Sequence, residues 1–118
     1  ALHMALRASL DDAGEAFGLD PAVRAEVRAE RERMLALAES VRSGRRTGAT
    51  GQPFRTVVNI GIGGSDLGPV MAVEALRPVV KPGIDLRFAS NVDGAQLADI
   101  LAEVDPATTL FVVCSKSF

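Results

Sequence analysis

The sequence predicts an α/β protein with an open, parallel sheet. Three short runs carry that prediction: TVVNIGI (residues 56–62), DLRFAS (85–90) and TTLFVVC (108–114). The first and third are dense in β-branched residues, as strands buried on both faces of a parallel sheet require. Between them lie two stretches of helical character, so the order is strand, helix, strand, helix, strand. Right-handed crossovers then place helices on both faces, a three-layer arrangement.

The elements follow in chain order. Residues 2–13 read as a helix, with Gly14 as its stop signal. Asp20-Pro21 is a strong helix start, with an N-cap acid followed by proline at the first helical position. That helix is expected to run to about Ser43. Val23, Val27, Met34, Leu37, Ala38 and Val41 recur on one side, and Gly44 ends it. Its charged part, Arg24 to Arg33, reads as a solvated face, since like charges stand four apart (Arg24 with Arg28, Glu26 with Glu30). Residues 44–53 form a loop in which Arg45 and Arg46 serve solubility better than anion binding. The expected organisation is an N-terminal helical segment and loop over residues 1–53, then an α/β unit over 54–118. After the first strand, GGSDLGPVMAVEALRP (63–78) supplies a turn and helix, and DGAQLADILAEV (93–104) a second helix. The chain starts at Ala1 without an initiator Met and stops at Phe118 just after a strand. An internal portion of a longer chain is the expectation.

Composition narrows the function. Thirteen Lys and Arg nearly balance fifteen Asp and Glu, for a net charge of −2, so there is no basic excess to neutralise nucleic-acid phosphates. No apolar run reaches the roughly 18 residues of a membrane span. The single Cys114 and single His3 exclude an internal disulfide and disfavour a metal site built from those residues. Neither a signal peptide nor a cysteine framework is visible, which favours a cytoplasmic protein.

Two polar loops carry the candidate chemistry. The first is Asn59-Ile60-Gly61-Ile62-Gly63-Gly64-Ser65-Asp66-Leu67-Gly68-Pro69. Glycines allow a sharp turn and close approach of a ligand. Ser65 stands at the expected N-cap, where free N–H groups attract anions and hydroxyl oxygens. The dinucleotide fingerprint fails, because the sixth position from Gly61 is Asp66, and an acid there opposes a pyrophosphate. The second strand ends in Ser90-Asn91 without the acidic ribose partner. The P-loop pattern fails too, since no Gly-Lys-Ser/Thr follows. The second loop is Ser115-Lys116-Ser117, directly after the third strand, with two hydroxyls, backbone N–H groups and a cation suited to a phosphate monoester. Ligands of open α/β sheets bind beyond the carboxyl ends of strands. A strand order beginning 2-1-3 makes the two loops neighbours, whereas 1-2-3 separates them by about 10 Å. The expectation is 2-1-3.

VVNIGIGGSDLGP, then SNVDG, then TTLFVVCSKSF resemble the glucose-6-phosphate isomerase family, and ALHMALR and RMLALAESVRSG are similar to its N-terminal half. The resemblance covers nearly the whole chain. It implies a flavodoxin-like sugar-isomerase (SIS) domain, here incomplete, and interconversion of glucose 6-phosphate and fructose 6-phosphate through a cis-enediol, without cofactor or metal. It implies that Gly64 and Ser65 contact the sugar and that Ser115, Lys116 and Ser117 hold the phosphate. Ser117 replaces a frequent Thr and keeps the hydroxyl. The family's glutamate base, ring-opening histidine and enediol-stabilising arginine fall in motifs beyond Phe118, so no catalytic residue is assigned here. His3, Glu74 and Glu103 match none of them. The 118 residues alone are expected to be inactive. The resemblance further implies a homodimer, with no nucleic acid or membrane as partner. A non-catalytic, sugar-phosphate-sensing SIS regulator is the alternative.

Overall fold

The computed structural model describes Gly18 and residues 20–80 and 83–115. The helix expected over residues 2–13, with His3, lies outside them, as do Lys116 and Ser117. The chain forms two compact units that divide in sequence between Ser40 and Val41.

The first unit contains nearly all of α1 (Pro21–Arg42). Its start is the expected one: the Asp20 carboxylate accepts from the Ala22 N–H at 2.8 Å, and proline at the first position sacrifices no helical hydrogen bond. Arg33 and Glu30 pair on its exposed surface. Val27 is buried and Val23 half-buried, whereas Met34 is 61% exposed and Leu37 and Ala38 are also open. The helix ends at Arg42, and Gly44 turns the chain at φ 72° with its N–H on the Val41 carbonyl.

The second unit is built on three strands, β1 (Thr56–Ile60), β2 (Asp85–Ala89) and β3 (Thr109–Val113). All pair in parallel, in the order β2-β1-β3. The expected 2-1-3 arrangement is therefore present, and the sheet is open. Central β1 holds Val58, which has no exposed surface, and beside it Ala89 is buried on β2. Edge strand β3 is more open, because one side of it has no neighbour among the described residues; Val113 is 57% exposed.

Two helices cross between the strands, α2 (Gly64–Leu76) and α3 (Gly94–Glu103). Side chains at paired positions of a parallel ladder share a face, and successive positions alternate. Val58 pairs with Arg87, and Arg87 is bonded to Glu103 on α3. Asn59 pairs with Phe88 and is bonded to Ser65 on α2. The two helices therefore cover opposite faces, as right-handed crossovers demand when the first runs from β1 to β2 and the second returns from β2 across β1 to β3. Asp85, then Glu103, hydrogen-bond Arg87 and hold its guanidinium above its ordinary pKa. Asp93 caps α3 through the Ala95 N–H at 2.9 Å. The Gln96 Oε1 accepts from both Ser90 and Asn91 N–H groups at 3.1 Å, closing the β2–α3 loop. A 3₁₀ turn, Pro106–Thr108, leads into β3. Among the described residues, no helix is long and apolar enough to cross a membrane.

Candidate functional site

The sheet order changes direction at β1, and two loops leave its carboxyl end and that of β3. Ile60 is level with Val113, and the Cys114 N–H donates to the Ile60 carbonyl at 2.8 Å. The glycine loop and the polar loop thus begin at the same height on adjacent strands, about 4.8 Å apart. One small ligand would need this adjacency to reach both loops.

The glycine loop has one residue that needs its glycine for space and one that needs it for backbone. A Cβ on Gly61 would stand 2.8 Å from the Ser65 carbonyl oxygen and 2.9 Å from the Ser65 Cβ. The first turn of α2 can settle onto β1 only because that atom is missing. Gly63 has φ 59° and ψ −121°, a region that residues with a Cβ avoid.

The expectation that Ser65 is the N-cap needs correction. Gly63 is the N-cap, and Ser65 is the second residue of α2. The Gly63 carbonyl already accepts from Asp66 and Leu67 at 3.0 and 2.8 Å, so the helix starts earlier. The Ser65 N–H is turned inward to the Ile62 carbonyl at 3.2 Å. Among the described residues no carbonyl accepts from the N–H groups of Gly63 and Gly64. These N–H groups are open to a further acceptor, with the half-buried Ser65 beside them. Asp66 is buried in the same turn, and its Oδ1 has no hydrogen-bond partner among the described residues. A carboxylate there offsets the positive end of the helix dipole, so a pyrophosphate would be disfavoured.

Across the rim, Ser115 is exposed directly after Cys114. Gly64, Ser65 and Ser115 therefore belong to loops rooted side by side, while Lys116 and Ser117 lie outside the described residues. Among the described residues no group of three His, Cys, Asp or Glu could hold a metal ion. A concavity of about 480 Å³, lined by residues such as Leu76, Val80, Ile84 and Leu86, opens at the start of β2. Its lining is mostly apolar, with Arg77 and Asp85 at it, and it lies at the opposite end of the strands from the two loops, so it is no part of this site.

One buried group was missed at the level of sequence. The Asn59 amide donates from Nδ2 to the Ser65 carbonyl at 3.3 Å, and its Oδ1 accepts from the Cys114 thiol at 3.2 Å. A lone amide in the otherwise apolar run TVVNI is the signal that could have flagged it, because a buried polar group needs partners.

Comparison with known proteins agrees with this fold. A family model described as phosphoglucose isomerase matches residues 1–118. A glucose-6-phosphate isomerase of Caulobacter sp. (strain K31) is 56% identical over 117 residues, which are 99% of this chain and 21% of that protein. One from Anaeromyxobacter dehalogenans (strain 2CP-C) is 56% identical over 118 residues, 100% of this chain and 21% of that protein. Among solved structures, the crystal structure of a glucose-6-phosphate isomerase from Chlamydia trachomatis D/UW-3/Cx superposes with a TM-score of 0.72 at 30% identity, covering 98% of this chain and 20% of that one. The chain spans about a fifth of the length of the relatives it matches. With the whole chain matched and the fold shared, the chain belongs to the phosphoglucose isomerase family.

Proposed function

We propose that these 118 residues are the substrate-gripping portion of a glucose-6-phosphate isomerase, an aldose–ketose isomerase interconverting glucose 6-phosphate and fructose 6-phosphate. The observation that carries the proposal is the pairing of β1 with β3, which roots the glycine loop and the Ser115 loop side by side. A phosphorylated hexose has a neutral polyol end and a dianionic end. The Gly63–Ser65 turn offers two N–H donors and a hydroxyl, which suit sugar hydroxyls. Ser115, Lys116 and Ser117 offer hydroxyls and a positive charge, which suit the phosphate. Residues 54–118 would form part of an SIS domain.

The chemistry itself needs a base to carry a proton between C1 and C2, an acid–base pair to open the ring, and a cation to stabilise the enediol. None of these roles falls to Gly64, Ser65 or Ser115. Other parts of the whole protein supply them, and the 118 residues alone bind without turning over. The whole protein is proposed to work in the cytoplasm as a homodimer, in sugar metabolism.

The test is an assay of the whole protein with fructose 6-phosphate, alongside a binding titration with fructose 6-phosphate and with NAD. Interconversion of the two hexose phosphates is the expected result, with no binding of NAD. Saturable binding of fructose 6-phosphate without any turnover would replace the isomerase with a sugar-phosphate-sensing regulator. Binding of NAD instead would overturn both.

A further inference from the structure

We infer that Asn59 is a positioning residue that sets the spacing between the sugar-facing turn and the phosphate-facing loop. The inference rests on the proposed function and adds to it a residue that touches no substrate. Asn59 is 9% exposed on the central strand, and its side chain has one end on each loop. Nδ2 donates to the carbonyl of Ser65, and Oδ1 accepts from the thiol of Cys114, the residue before Ser115.

The Ser65 carbonyl is available for a reason that can be read in the chain. In an α-helix the carbonyl of residue 65 would accept from the N–H of residue 69. Residue 69 is Pro69, inside α2, and proline has no N–H. The carbonyl is thereby released from the helix. Gly61 gives it room to approach β1, since any Cβ there would collide with it. Asn59 then supplies the missing donor. Three residues thus convert one helical carbonyl into an anchor, and the other end of the same amide fixes the root of the polar loop. A ligand with a polyol and a phosphate joined by a fixed carbon chain needs both halves of its site at one separation. An amide bonded to both loops sets that separation.

A merely structural asparagine would satisfy the Ser65 carbonyl and do nothing else. The experiment separates the two roles in the whole enzyme with Asn59→Ala, Asn59→Ala/Pro69→Ala and Cys114→Ala. Isomerase KM for fructose 6-phosphate, the inhibition constant of inorganic phosphate and the thermal midpoint are measured for each. Asn59→Ala should raise KM about tenfold, less than the roughly hundredfold that a full 1 Å misplacement can cost, and should lower the midpoint. Inorganic phosphate, which needs one loop only, should inhibit within about twofold of wild type. Adding Pro69→Ala restores an N–H for the Ser65 carbonyl, so the midpoint should recover while KM stays high. Cys114→Ala cuts the other arm and should raise KM about threefold with a smaller fall in midpoint than Asn59→Ala, and its KM decides the matter if Asn59→Ala does not fold.

Recovery of KM together with the midpoint in the double variant would overturn the positioning role. So would an unchanged KM in the single variants. A wild-type enzyme that neither isomerises nor binds fructose 6-phosphate would overturn the proposed function, and this role with it. That outcome is told apart from failure of the role alone by the wild-type control.

Discussion

Gly61 and Ser65 are packed so closely that a methyl group on the first would lie 2.8 Å from the carbonyl oxygen of the second. The contact is with backbone at the start of a helix, which cannot swing aside as a side-chain tip can. Gly61→Ala should therefore push α2 away from β1 and cost about 1–3 kcal/mol, the usual range for overpacking. Denaturant unfolding of the whole protein measures this, and a loss below a few tenths of a kcal/mol would contradict the packing.

The two loops should be separable by kinetics. Ser115→Ala removes a hydroxyl proposed for the phosphate, and a hydrogen bond to a charged group is worth about 1.5–3 kcal/mol. KM for fructose 6-phosphate should rise roughly tenfold or more, and inhibition by inorganic phosphate should weaken in parallel. Ser65→Ala should raise KM for the sugar phosphate but leave phosphate inhibition near wild type. Identical responses from the two variants would mean that the loops do not divide the substrate in this way.

Among the described residues of the second unit, Leu67 and Met71 on α2 and Val113 on β3 leave large apolar surfaces open. Apolar patches of this kind attract hydrophobic probes and other apolar surfaces. The 118-residue chain by itself should enhance the fluorescence of 8-anilinonaphthalene-1-sulfonate and show no turnover. Measurable isomerisation by the purified chain would contradict the assignment of its catalytic groups to other parts of the protein.

Asp93 provides a control in the loop after β2, to which no part of the proposed site is assigned. Its carboxylate caps α3, and Asp93→Ala should cost about 1 kcal/mol. Thermal melting reads that loss, while KM for fructose 6-phosphate should stay within about twofold of wild type. A KM change comparable to that of Ser115→Ala would mean that the site is sensitive to general loosening of the fold, and the kinetic tests above would lose their specificity.

Local chemistry determined the elements and their chemical content. Asp20-Pro21 announces a helix and the β-branched run around Val58 announces a buried strand, and the glycine and serine loops carry the groups proposed to meet a polar ligand. Each depends only on residues a few positions apart, so spacing and residue type are enough to read it. The length of VVNIGIGGSDLGP carried the family as well. The helix boundary at Ser65 was misjudged by two residues, because a serine usually caps. Here a positive-φ glycine took that place, and backbone conformation at a glycine leaves no trace in hydrophobic pattern.

Only the tertiary structure decided what stands beside what. The pairing of β1 with β3 joins residues about fifty positions apart, and strand order depends on which edge each crossover returns to. The bridge from Asn59 to Cys114 depends in turn on that pairing. In the sequence Asn59 is one amide among aliphatic neighbours. Its partners become identifiable only when a proline four residues beyond Ser65 and a strand from the far end of the chain arrive at the same place.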